Sequence, residues 1–354
     1  MAIGHLTYPV FDPAFLAPLI GVESAQIVHG SQHWVPPLYK YMISNYFISC
    51  FLLLSGFVIE LYLQRTSPGT FLIQRVFRLL PVLWVATAVA LILRQMAGLP
   101  LPSLDVIVQE ALLWKGYSLN PVAWTLLIQV QFYVTAALFV FYGIGLLART
   151  VILSGGFLSL SLLHLMGIDV VDSEWHSSAV GILFWLSWIH MGTLTFYLWK
   201  RNGDFDRVLR VAGIHALLFG LGYLATIDSV LVSEHFKTLA HPLSASLLTI
   251  FVALFVNDSL PRIRPLESLA SITYSLYLLH IPVGWLAFYL TFQTIGVTAA
   301  VALGFMAVLL ASYLVSAYIE MPLNAYGKAL TRKRGAAVAW AERGWSLVKQ
   351  VRGW

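Results

Sequence analysis

The sequence predicts an all-α fold: a polytopic integral membrane protein with about ten transmembrane helices. Three observations carry this. Of 354 residues, 59% are hydrophobic and only 10% are charged, with a mean hydropathy of +0.80. A soluble domain carries about 25% charged residues, so these few charges cannot cover a water-facing surface. The apolar residues also come in runs long enough to cross roughly 30 Å of hydrocarbon, which takes about 20 helical residues. Finally, 12 Trp and 16 Tyr suit the aromatic belts at the two membrane–water interfaces.

The runs fall at about 13–32, 43–63, 79–97, 121–147, 150–168, 179–199, 208–226, 241–256, 270–291 and 297–319. Helix is the expected form, because hydrocarbon offers backbone groups no partner outside the segment. The first run is the most polar, with Pro18, Glu23, Gln26 and His29, and the eighth is short. No internal repeat or low-complexity tract occurs, so an inverted-repeat transporter gains no support. Residues 1–322 read as one transmembrane domain. In the remaining 323–354, Val338, Ala341, Trp345 and Val348 recur at helical spacing among Arg343, Lys349 and Arg352. That pattern fits a basic amphipathic helix on the inner leaflet, the alternative being a disordered basic tail. The N-terminus shows no removable signal peptide. Cys50 is the one cysteine, which excludes an intramolecular disulfide and a cysteine-built metal site; it reads as a small buried hydrophobe.

The net charge of +5 does not point to nucleic acid, because the basic residues are scattered between apolar runs. All of the 21 Lys and Arg residues except Lys40, Arg94, Lys115 and Lys237 fall on one set of loops and the C-terminal tail. By the positive-inside bias this puts both termini and the 71–81 loop in the cytoplasm, with a bacterial inner membrane as the expected setting. Asp169, Asp172, Glu174, Asp228 and Glu234 lie on the opposite side.

Polar groups inside such runs are costly and invite a functional reading. Glu23, Gln26, His29 and His33 are spaced three, three and four, one stripe of one helix. His29 can exchange a proton near neutral pH. Glu23 orients it only through a distorted helix or an intervening one, since six residues is a poor spacing for contact. The alternative is a stripe that packs on other polar helix faces. Arg75 and Arg78 share a face at i and i+3, just before Pro81, which either opens the next spanning helix or kinks it. Two readings stand for the arginines: forks for phosphate oxygens, or anchors on lipid headgroups. The histidines are scattered, and no metal site is read from them.

Five segments occur in order: FISCFLLLSGFVIE (47–60), FLIQRVFRLLPVLWV (71–85), AWTLLIQVQFYV (123–134), ITYSLYLLHIPV (272–283) and IEMP (319–322). Together they resemble the signature segments of the acyltransferase 3 family of integral membrane O-acyltransferases. The resemblance implies transfer of an acyl group, often acetyl, from acyl-CoA to a hydroxyl of a glycan or glycolipid. It implies His29 as catalytic base and Arg75 and Arg78 as the acyl-CoA site; Glu23 joins the catalytic set from the polar stripe itself, not from the resemblance. It matches Ser55, Phe57, Trp124, Phe132, Tyr133, Tyr274, Tyr277 and His280 at less specific positions, with packing as the alternative. Gln26 and Gln129 are read as polar groups for the oxyanion, which makes Gln26, Trp124, Gln129, Tyr133 and His280 the substrate-side set. The expected partners are acyl-CoA, the acceptor and membrane lipids; no metal and no nucleic acid are expected. The chain departs from the family pattern at Pro18, where an arginine is usual, and at Gln129, where a glutamate is usual. A glycan or lipid transporter, or a catalytically degenerate member, is the alternative.

Overall fold

The computed structural model describes residues 37–96, 98–114, 119–168, 173–200, 205–227, 240–256 and 270–332. These are helical almost throughout, with no strand among them. The helices are α1 (Pro37–Leu63), α2 (Pro68–Met96), α3 (Leu104–Ala111), α4 (Ala123–Phe141), α5 (Leu146–Leu165), α6 (Ser173–Lys200), α7 (Phe205–Ile227), α8 (Ala240–Val256), α9 (Thr273–Ile295) and α10 (Val297–Val315). The last continues through a π-turn at Ser316–Glu320 and on to residue 332. Among the described residues, eight helices are long and apolar enough to cross a membrane, α3 and α8 being the short ones. The expected all-α polytopic membrane fold is therefore the fold observed. The 13–32 run and the 335–352 amphipathic pattern lie outside the described residues.

The second spanning helix differs from the sequence expectation. It begins at Pro68 rather than near 79, so Arg75 and Arg78 stand on helix, not in a loop. The cause is local. The Thr70 amide donates to the hydroxyl of Ser67 at 3.4 Å, and Pro68 follows at the first helical position. This is an N-cap plus a residue whose missing N–H costs nothing there. Pro81 then falls inside α2, removing one backbone bond without ending the helix.

At 1.5 Å per residue, the 29 residues of α2 reach about 43 Å, and the 34 residues of Ala299–Arg332 about 51 Å. Both exceed the roughly 30 Å of hydrocarbon. Their surplus lies at one face, where the side-chain amide of Gln74 donates to Thr331 Oγ1 at 3.0 Å and Phe77 meets Tyr326 at 5.6 Å. The connections 64–67 and 142–145 and the ends of α6 and α10 belong to that same face. Arg65, Arg75, Arg78, Arg149, Lys200, Lys328 and Arg332 gather there, and we call it the basic face.

Two glycines set how closely the bundle closes. A Cβ on Gly56 of α1 would stand 1.8 Å from the Ile189 carbonyl oxygen of α6, and one on Gly192 would stand 1.9 Å from the Leu53 carbonyl oxygen. The two backbones touch, as small residues permit between membrane helices. Leu52, Leu53, Leu83, Leu126, Phe184 and Leu278 fill the core around this crossing. Leu138, Ile92, Leu217 and Leu310 point outward, as lipid-facing side chains do.

The crossing makes a direct prediction. Gly56→Ala forces backbone apart and is expected to cost at least about 1–3 kcal/mol, read as a lower apparent unfolding temperature in detergent. Gly181→Ala on α6, with nothing within 4 Å of its added carbon, is expected to leave that temperature unchanged or raise it.

Candidate functional site

Near the basic face, α1, α2, α4 and α9 leave a cavity of about 190 Å³ between them. Its polar lining comes from Ser55, Arg75, Arg78, Gln129, Tyr133, Thr273 and Tyr274. Residues that the sequence scatters over four segments thus meet at one place. The i, i+3 spacing on α2 turns both arginines toward the cavity.

Arg75 is the unusual member. It is only 7% exposed, and its Nη2 has no hydrogen-bond partner. Aromatic rings surround the guanidinium instead. Its Cζ stands 4.5 Å from the ring centre of Tyr62, 4.9 Å from Phe71 and 5.5 Å from Tyr133. Phe71 and Tyr133 brace each other edge to face at 5.6 Å. Arg78 is more open, and its Nε lies 4.0 Å from a carboxylate oxygen of Glu320. The π-turn at Ser316–Glu320 carries that carboxylate, and the Ser275 hydroxyl donates to its other oxygen at 2.7 Å. The Tyr274 hydroxyl donates to the Leu79 carbonyl at 2.8 Å, tying α9 to α2.

Deeper in the cavity wall, the Gln129 amide donates to Ser55 Oγ, and the Ser55 hydroxyl donates to the Phe51 carbonyl at 2.8 Å. The serine of the SGF segment is thereby a polar wall residue, while its glycine makes the helix crossing. Phe57 packs on Phe196 and Trp199, a contact away from the cavity. Trp124 sits against Trp185 at 5.6 Å. His280 is buried, and its Nδ1 donates to the Tyr277 carbonyl at 2.6 Å. Tyr277 in turn bonds Thr125. So Arg75, Arg78, Gln129 and Tyr133 are brought together, whereas Trp124 and His280 are not among the cavity-lining residues. Glu23, Gln26, His29 and His33, and Pro18 with them, lie outside the described residues.

Comparison with known proteins bears on this arrangement directly. The family model for the acyltransferase domain of acyltransferase 3 type matches residues 1–317, nearly the whole chain. The chain belongs to the acyltransferase 3 family. It is a multi-pass membrane protein carrying an acyl-transferring domain, and the cavity lies inside the matched region. No curated protein and no solved structure matches it.

This acyltransferase 3 chain also holds polar groups that sequence reasoning missed. Glu60, near the end of α1, pairs with Arg149 of α5 at 3.3 Å and accepts from the Tyr197 hydroxyl of α6 at 2.6 Å. Thr150 bonds His190 at 3.0 Å, and Ser154 bonds His215 at 2.8 Å. The two imidazoles stand 5.6 Å apart, both buried. A π-turn at Val151–Gly155 follows Thr150 and contains Ser154. The signal was available: Glu60 and His190 are each the one acid or base in a long apolar run, and His215 shares its run with Arg210 alone. The Glu110 carboxylate was also overlooked. It accepts from the Leu119 and Asn120 amides at 2.7 to 3.0 Å and so fixes the approach to α4.

Removing one partner of a buried ion pair strands the other charge. Glu60→Ala is therefore expected to destabilise the protein by about 3–5 kcal/mol, and the Glu60→Leu/Arg149→Met double variant by clearly less. Apparent unfolding temperatures of the purified variants check the order.

Proposed function

We propose that this protein transfers an acyl group, acetyl in the first instance, from acyl-CoA to a hydroxyl of a glycan or glycolipid, and that the cavity between α1, α2, α4 and α9 receives the donor. The observation that carries this is Arg75. A cation buried in a bilayer protein normally has a carboxylate beside it. Among the described residues, no carboxylate pairs with Arg75; one of its guanidinium nitrogens has no partner, and the residue lines the cavity. Such a group awaits an anion. Lipid anchoring explains it less well, because an anchor must reach headgroups at the protein surface, and Arg75 is 7% exposed.

The donor reading gives the chain residues the following work. Arg75 and Arg78 hold donor phosphates at the basic face, which we assign to the cytoplasm, where acyl-CoA is made. Gln129 and Ser55 offer polar contacts further in. His29, with Glu23 to hold its charge, takes the proton of the acceptor hydroxyl as that oxygen bonds to the thioester carbonyl carbon. The carbon–sulfur bond then breaks, and His29 returns the proton to the departing sulfur. Gln26 and Gln129 are the polar groups available for the oxyanion. Trp124, Tyr133 and His280 support the acceptor and donor path from the surrounding helices. No step calls for a metal ion.

CoA titration of the purified full-length protein tests this. The unmodified protein is expected to show saturable thermal stabilisation by CoA, and Arg75→Ala/Arg78→Ala to lose it. Stabilisation that survives the double substitution, or that never occurs, would favour a transport role for a glycan or lipid. For the chemistry, His29→Ala is expected to fold and bind CoA while losing acyl transfer, about 10²-fold or more, measured by mass spectrometry of the acylated acceptor.

A further inference from the structure

We infer that Tyr62 is a positioning residue of the donor site: with Phe71 and Tyr133 it forms an aromatic cage that keeps the Arg75 guanidinium charged, fixed and unneutralised. The inference rests on the donor-binding reading and adds the device that makes it work.

Three arginines of the basic face, Arg75, Arg78 and Arg149, differ in a telling way. Arg149 has Glu60 at 3.3 Å and Arg78 has Glu320 at 4.0 Å. Arg75 has three ring faces instead, Tyr62 the nearest at 4.5 Å. The distinction is chemical. A carboxylate stabilises a buried guanidinium by occupying its N–H groups and cancelling its charge, which leaves little for a ligand. An aromatic face stabilises it through the ring quadrupole and occupies no N–H. The cation keeps its charge, and its Nη2 keeps its donor capacity, which agrees with the unpartnered atom.

The cage also supplies order. Its members come from three helices: Tyr62 from the last turn of α1, Phe71 from one turn before Arg75 on α2, and Tyr133 from α4. Phe71 and Tyr133 are nearly inaccessible and brace each other edge to face. Tyr62 is the half-buried member, and no hydrogen bond of its hydroxyl enters the inference. Its ring face is what the cage uses.

The test uses the full-length protein in detergent, with CoA as probe and unfolding temperature without CoA as the folding control. Tyr62→Leu is expected to weaken CoA affinity about tenfold. Tyr62→Phe retains a ring face and is expected to bind within about twofold of the unmodified protein. Rescue by phenylalanine is the decisive readout, since a merely structural role for the hydroxyl or for side-chain volume does not produce this order. If Tyr62→Leu fails to fold, Tyr62→Met takes its place, with the same expected loss. Two results overturn the cage while leaving the donor site intact: Tyr62→Leu binding CoA as tightly as the unmodified protein, or Tyr62→Phe losing as much as Tyr62→Leu, with Arg75→Ala abolishing binding in either case. Failure of the unmodified protein to bind CoA overturns the donor reading itself, and the cage falls with it.

Discussion

The cost of placing a charge in hydrocarbon governs this molecule. The buried ionisable side chains Glu60, Glu320, His190 and His215 each have an internal partner, and the pairings tie the helices together. Glu60 joins α1, α5 and α6; Glu320 joins α9 to the π-turn after α10; His190 and His215 are held by hydroxyls of α5. Arg75 breaks the pattern. Its position near the end of an overlong helix lowers the penalty, and aromatic faces absorb part of the rest. One nitrogen of its guanidinium stays without a partner, and the residue lines the cavity. The proposed donor site lies where the folding rule is broken.

The helix crossing and the cavity are linked through one short segment. In SGF, Ser55 faces the cavity and bonds Gln129, Gly56 brings α1 against the α6 backbone, and Phe57 packs outward on Phe196 and Trp199. Three neighbouring residues point three ways, as the 100° step of a helix requires. A bulkier residue at Gly56 would push α1 away from α6 and move Ser55 relative to Gln129. The packing of the bundle and the shape of the site therefore cannot vary independently.

Much of this was legible in the chain. Nine of the apolar runs coincide with observed helices, because a bilayer leaves backbone groups one common solution. The pairing of Arg75 with Arg78 followed from i, i+3 spacing. The start of α2 was misjudged because hydropathy weighs apolar residues and passes over Ser67 and Pro68, which are the boundary. Tertiary partners were not legible at all. No periodicity announces that Tyr62 meets Arg75, or that Arg149 meets Glu60 across 89 positions. Such contacts depend on how helices cross, which is decided by close approaches such as Gly56 on Ile189. The polar stripe of Glu23, Gln26, His29 and His33 lies outside the described residues.

One measurement bears most directly on the central claim that Arg75 receives the donor. An experimental structure of the full-length protein with CoA bound should place a CoA phosphate within hydrogen-bond distance of the Arg75 guanidinium, in the cavity between α1, α2, α4 and α9, with the ring of Tyr62 still against it. CoA bound elsewhere, with the cavity empty or filled by lipid and Arg75 turned toward a carboxylate, would contradict the account.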